Sequence, residues 1–198
     1  MKSVLDQNPG RIYFRRRGDD LGGLVRVTTL LLVLAALVRV MSVTLVHRIV
    51  VSKSAQTLVA YDAEGNELAR HAVILGASPV GTKGREGDRR TPEGDYRVCF
   101  KNPQSKFHLS LGLDYPNVED ARRGLAEGAI EPADYVAIVE AHRTGKIPPW
   151  KTPLGGEIFI HGDKGVRDAT AGCIALTNEA IEDLYLRVEL GTPVTILP

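Results

Sequence analysis

The sequence predicts a mainly β domain with a few helices, preceded by an N-terminal membrane-anchor helix. Three observations predict it. Short strand-like runs between turn signals fill most of residues 47–198, without the strand–helix alternation that builds βαβ units. Helical spacing is confined to two stretches in the middle of the chain and one near its end. A basic cluster and a long apolar run come before all of these.

Arg48–Lys53 reads as a first strand and Thr57–Tyr61 as a second. Asp62-Ala-Glu-Gly65-Asn66 is turn chemistry, with Gly or Asn able to take positive φ. Glu67–Leu75 returns as a third strand, so residues 57–75 form a β-hairpin. Gly76–Gly94 is rich in Gly, Arg and Pro and has no hydrophobic period, which predicts a long loop of the functional kind. Tyr96, Val98 and Phe100 alternate with Arg97 and Cys99, the pattern of a half-buried strand. Phe107–Leu111 is a further short strand. Val118–Glu127 and Pro132–Arg143 are helical, with Pro132 suited to a first turn. Ile147–Pro153 is a proline-rich connector, and Glu157–His161 is a strand that delivers a histidine at its end. A helix capped by Thr177 or Asn178 runs to about Val188. Gly191–Leu197 is the terminal strand.

Residues 1–26 carry a net charge of +3, so the rest of the chain sums to −2, the whole being +1. No basic surplus remains in the main domain to face phosphates, which excludes nucleic acid as an expected partner. A composition 43% hydrophobic and 25% charged excludes wholesale disorder. Two cysteines exclude a disulfide scaffold or a Cys-rich zinc site. Arg15-Arg16-Arg17 precedes the apolar run Val27–Val38, and after Arg39 the apolar character continues to Val46. Those 20 residues hold one charge and are about long enough to cross a ~30 Å hydrocarbon core as a helix. No Ala-x-Ala site follows, which favours an uncleaved signal anchor over a cleaved signal peptide. The arginines would hold the N-terminus in the cytoplasm and make the cytoplasmic membrane a partner. The domain would then sit on the periplasmic or extracytoplasmic face of the cell envelope. Two plainer readings stay open: a buried core helix with Arg39 reaching out, or a true start at Met41. The expected division is 1–26 cytoplasmic, 27–46 anchor and 47–198 catalytic domain, with a helical insert at 118–156.

The chemistry concentrates in His161-Gly162 and, after a short gap, Thr170-Ala171-Gly172-Cys173. A thiol with a pKa near 8.5 is mostly protonated at neutral pH, so a nucleophilic cysteine needs an adjacent base or positive dipole. His161 is the nearest candidate base. The Gly172 and Cys173 N–H groups, in a turn just before a helix, could hold a developing oxyanion, and Thr170 could position a substrate group. A lone cysteine is equally well read as a small buried hydrophobe, and a lone histidine at a strand end as a structural one.

The stretch from His161-Gly162 through Thr170-Ala171-Gly172-Cys173 to Asn178 resembles the active-site motif of the L,D-transpeptidase catalytic domain family (YkuD type). Thr91-Pro92-Glu93-Gly94-Asp95-Tyr96 is similar to that family's Thr-Pro-x-Gly-x-Tyr segment, and residues 48–75 to its opening hairpin. The resemblance implies a β-sandwich or barrel and a cysteine enzyme acting on peptidoglycan stem peptides. Cys173 would attack the carbonyl after the L-centre of meso-diaminopimelate with His161 as base. An amine of a second stem, a lipoprotein or water would resolve the thioester. Neither metal nor other cofactor is implied. Ala175, where many members carry Arg, Ala171, and the 12-residue His-to-Cys spacing are departures. They are closer to a subgroup that includes enzymes releasing a lipoprotein from murein.

Arg90 and Arg167 are candidate partners for substrate carboxylates, since Arg binds them bidentately, against the plainer reading of solvated loop charges. His108 either faces the site or is a satisfied structural histidine. Gly162 belongs to the motif as a supporting residue. Two other functional classes remain: a zinc peptidase using His161, Asp163 and His108, which lacks a paired-His motif, and a membrane-tethered, non-catalytic wall-binding module.

Overall fold

A computed structural model of the chain describes residues 43–162 and 168–198. The basic N-terminus and most of the expected anchor lie outside these residues. Val43–Val46, the end of the apolar run, belongs to the domain: Val46 is buried, bridges Val188 and donates its N–H to Arg187 O at 2.9 Å. Among the described residues no helix is long and apolar enough to cross a membrane.

The described residues form eight strands and three helices. They run β1 (Arg48–Ser52), β2 (Thr57–Tyr61), β3 (Glu67–Ala72), β4 (Gly94–Ser105), β5 (His108–Leu113), α1 (Val118–Ala126), α2 (Pro132–Arg143), β6 (Phe159–Gly162), β7 (Ile174–Leu176), α3 (Asn178–Arg187) and β8 (Pro193–Leu197). The strands form one sheet in the order β3-β2-β1-β8-β4-β5-β6-β7. The β1–β8 and β6–β7 pairs are parallel and the others antiparallel.

Alternation builds the inner face. Ile49 and Val51 of β1 and Val194 and Ile196 of β8 point into one core, with the half-buried Val50 and Thr195 between them on the other face. β4 joins the two halves of the sheet, since Gly94–Arg97 pairs with β8 and the rest with β5. A register shift between Val98 and Phe100 lets one extra residue in. Tyr96 and Val98 therefore face the core, but Phe100 turns outward and is exposed, against the expected alternation.

The sheet's two edges meet. Past the end of β3, Ile74 bridges Ala175 of β7, with reciprocal bonds of 2.9 and 2.8 Å. Leu75 O accepts from Thr170 N at 2.8 Å, and Ala77 N donates to Thr170 O at 3.1 Å. These bonds close the sheet into a barrel-like body, which resolves the sandwich-or-barrel expectation toward the barrel. α3 packs on the core through Ala180, Ile181 and Leu184, its N-terminus capped by Thr177 Oγ1. α1 and α2 cover a smaller apolar cluster of Ala121, Ile130, Ile138 and Leu154. α1 starts in a capping box of Asn117 and Asp120, and buried Asp120 ties it to β4 by accepting from Tyr96 Oη at 3.0 Å.

Candidate active site

His161 sits inside β6, almost fully buried. Its Nδ1 lies 2.6 Å from Gly162 O. A carbonyl can only accept, so Nδ1 carries a proton, and in the neutral ring the lone pair is then on Nε2, the tautomer a general base requires. The imidazole stacks on Phe107 of the β4–β5 turn, with ring centroids 4.4 Å apart and planes inclined by 23°.

Cys173 stands just before β7. In the β6–β7 register His161 is opposite Ala175, two residues after Cys173. Alternate residues share a face, so cysteine and histidine rise from neighbouring strands on the same side. The Cys173 thiol is half-buried and donates to Glu157 O at 3.5 Å. Burial pushes its pKa above the ordinary range, opposed by a hydrogen bond from the Phe159 N–H and by the charges of Lys83 and Lys106. A thiol held in this form needs a base to become a nucleophile.

The turn before it is built by Thr170. Its Oγ1 donates to Cys173 O at 2.7 Å and accepts from Gly172 N at 3.0 Å. Gly172 has φ of 141°, and a Cβ there would lie 2.8 Å from Arg90 O. Only glycine suits this position, which holds a rare backbone conformation beneath a neighbouring chain. The Thr170 hydroxyl is thus committed to shaping the turn, and the Gly172 N–H to that hydroxyl. The Cys173 N–H has no partner among the described residues. The turn leads into β7 and reaches α3 only after it, so the expected position directly before a helix is not the one observed.

Gly162 is equally constrained, because a Cβ would come within 2.6 Å of Asn178 Oδ1 and 2.8 Å of Phe107 O. Cys173 opens onto a groove of about 1040 Å³. One wall carries Lys83 and Glu86 from the 76–93 loop; the other carries Trp150 and Thr152 from the proline-rich connector. The connector half of the helical insert therefore borders the groove. Lys83 is buried and paired with Asp88 at 2.9 Å. Trp150 Nε1 and Thr152 Oγ1 are buried and unbonded.

The remaining candidates lie elsewhere. Arg90 touches the site through its carbonyl, while its side chain lines a separate depression of about 400 Å³ with Arg85 and Glu127. His108 is paired with Glu182 of α3 at 2.6 Å and does not line the groove. Arg167 and Asp163 are outside the described residues. Phe107, Lys83 and Glu157 were not singled out by the sequence. Only the φ of 53° at Glu157 marks it as unusual, and that is a structural signal.

The sequence model of the L,D-transpeptidase catalytic domain (YkuD) matches residues 46–196. YafK of Escherichia coli K12, which carries an L,D-transpeptidase assignment, is 24% identical over 138 residues, 67% of this chain and 43% of that protein. This chain thus spans less than half the length of that curated relative. The helical cell shape determining protein Pgp2 (K307A mutant) of Campylobacter jejuni has a similar structure, with a TM-score of 0.54 and 25% identity over 77% of this chain and 47% of that one. Bd1075 of Bdellovibrio bacteriovorus shares the fold at a TM-score of 0.51 and 20% identity, over 78% of this chain and 51% of that one. With its family motif built around one turn and matched along nearly the whole described domain, the chain belongs to the L,D-transpeptidase catalytic domain family.

Proposed function

We propose that the chain is a peptidoglycan-modifying cysteine acyltransferase. The observation that carries this reading is Cys173 at the floor of an open groove, on the same face as a buried His161 whose tautomer leaves Nε2 basic. A stem peptide lies along the groove with the meso-diaminopimelate carbonyl, on its L-centre side, over the sulfur. His161 Nε2 takes the thiol proton as the S–C bond forms. The Cys173 N–H supports the oxyanion, and the fixed charge of Lys83 favours the thiolate. The C–N bond to the terminal D-residue then breaks, and the proton on His161 passes to the departing amine. An amine of a second stem, a murein-linked lipoprotein or water attacks the thioester in turn, with His161 again taking the incoming proton. The first two outcomes are transfer and the third is hydrolysis.

Thr170, Gly172 and Gly162 support this pair by shape, and Arg167 is kept as a carboxylate partner. Such a substrate puts the domain's work in the cell envelope, with the apolar residues from 27 up to the start of the domain at Val43 holding it to the cytoplasmic membrane.

Mass spectrometry of defined stem tetrapeptides, before and after incubation with the purified chain, tests the reading. Loss of the terminal D-residue and an acyl adduct on Cys173 are expected, both surviving EDTA. Added amine acceptors separate transfer from hydrolysis. Activity lost on chelation and restored by zinc would instead support the peptidase reading.

A further inference from the structure

We infer that Phe107, at the tip of the β4–β5 hairpin, is the positioning residue of His161, holding its imidazole toward Cys173. The inference rests on the cysteine–histidine chemistry proposed above. The bond from Nδ1 to Gly162 O fixes one ring atom but does not by itself fix the plane of the ring. The stack on Phe107, at 4.4 Å and 23°, adds a constraint on that plane.

The hairpin tip is itself held in place. Phe107 N donates to Ser105 Oγ at 3.1 Å. His108 sits at φ of 72°, a region that non-glycine residues enter only when their surroundings require it, and its Nε2 is tied to Glu182 of α3 at 2.6 Å. Phe107 O and His108 Cβ press on Gly162 so closely that a Cβ there would lie 2.8 and 3.2 Å from them. The backbone of the hairpin tip is therefore tied to β6 and α3, which keeps Phe107 at a fixed place beside His161.

The aromatic face also has an electrostatic consequence. The negative face of a phenyl ring favours a cation above it. When Cys173 gives its proton to His161, the imidazolium formed lies on that face. The ring thus shifts the pair toward thiolate and imidazolium. Among the described residues, the charged groups around the pair are Lys106, whose Nζ is 5.0 Å from the same ring centroid, Lys83, Glu157, and Glu182 behind His108.

The experiment compares Phe107→Leu, Phe107→Met and Phe107→Tyr in the full chain. Alkylation of Cys173 by iodoacetamide is followed against pH by peptide mass spectrometry, and kcat and KM are measured on a stem tetrapeptide. Leu and Met should lower kcat about three- to ten-fold with KM retained, and should move the alkylation curve to higher pH. Tyr, which keeps the ring, should restore both to within about twofold. A non-aromatic variant with wild-type kcat and alkylation curve overturns the inference, as does a Tyr variant as impaired as Leu. A wild-type curve indifferent to His161→Gln removes the cysteine–histidine reading itself, and the positioning role with it.

Discussion

Replacing Gly172 by alanine probes how tightly the turn of the proposed nucleophile is specified. The added Cβ would lie 2.8 Å from Arg90 O and 3.3 Å from Ile158 Cδ1, at φ of 141°. The first neighbour is backbone, so it cannot swing aside as a side chain would. Backbone of this kind costs on the order of 1–3 kcal/mol for a residue with a Cβ. For a domain of this size that corresponds to a fall in Tm of roughly 2–12 °C. The turn relieves the clash by lifting away from the 76–93 loop, and Cys173 is the next residue along. A displacement approaching 1 Å at the reacting atom lowers the rate by on the order of 10²-fold. Turnover of a stem tetrapeptide and thermal unfolding by circular dichroism, measured on the same preparations, give both numbers. A Gly172→Ala protein with wild-type kcat and Tm would refute the reasoning, because it would mean that the turn tolerates displacement without moving the sulfur.

Cys173→Ala should lose all turnover yet keep its Tm within a few degrees, since the thiol is half-buried and its hydrogen bonds are a long one to Glu157 O and one from the Phe159 N–H. Cys173→Ser should be nearly as inactive, because a hydroxyl is far harder to deprotonate; full activity in the alanine variant sinks the cysteine mechanism. Thr170→Ser should preserve both turn hydrogen bonds and most activity, whereas Thr170→Val should lose both and lower kcat at least about tenfold, the equivalent of one hydrogen bond of about 1.4 kcal/mol. Cys99 and Cys173 should both map as free thiols in active enzyme, with Cys99 alkylating slowly because burial and Asp114 push its thiol up to about 11; a stoichiometric bridge between them would contradict this. Burial acts to raise the pKa of Asp88, but Lys83 and three backbone N–H donors outweigh it and leave the carboxyl below its ordinary value. Its contribution to stability is therefore complete above the unfolded value of about 3.9 and is lost as pH falls from there through the lower folded value. Asp88→Asn should remove that acid-side slope in denaturant titrations, and parallel slopes for the two proteins below pH 4 would count against it.

The parts of this domain that depend on one strand facing one core were legible in the sequence. β8 and the inner face of β1 follow from alternation, β2 from a short apolar run ahead of turn chemistry, and the Thr177 cap and the helix from Pro132 from helix-end chemistry. β7 was not legible. Ile174-Ala175-Leu176 is buried throughout, so it has no period to detect, and three residues are too few to separate from a turn. Phe100 misled because a register shift reverses the face of the residues beyond it, and a shift leaves no mark in composition. Cys173 and His161 could be named because their chemistry is local to one motif. Arg90 shows the converse. Its closeness in sequence to the Thr-Pro segment said nothing about which part of it would meet Gly172, and it is the carbonyl that does so. Phe107 was missed because a hydrophobic residue near a hairpin tip has no catalytic signature until its neighbour 54 positions later is known.

The same bonds close the barrel and hold the proposed nucleophile. Thr170 is clamped between Leu75 O and Ala77 N, and Ala175 between both backbone groups of Ile74. Cys173 lies between these two clamps, only a few residues from each. Neither clamp is local: each joins the end of the opening hairpin to a segment about 100 residues further on. A short turn attached at one end would sample many positions for its sulfur, because the first few residues beyond a strand gain little from packing. Fixing both ends to the edge of a closed sheet removes most of that freedom before substrate arrives, and it is removed by backbone hydrogen bonds that any sequence can make. The side chains are then left to do what the backbone cannot. Thr170 folds the turn inward, Gly172 lets it pass beneath Arg90, and His161 is brought alongside by the parallel pairing of β6 with β7. This division explains why the motif itself can be short. Four residues suffice at Thr170–Cys173 because the placement of the turn is set by the barrel, and only its internal shape is written locally.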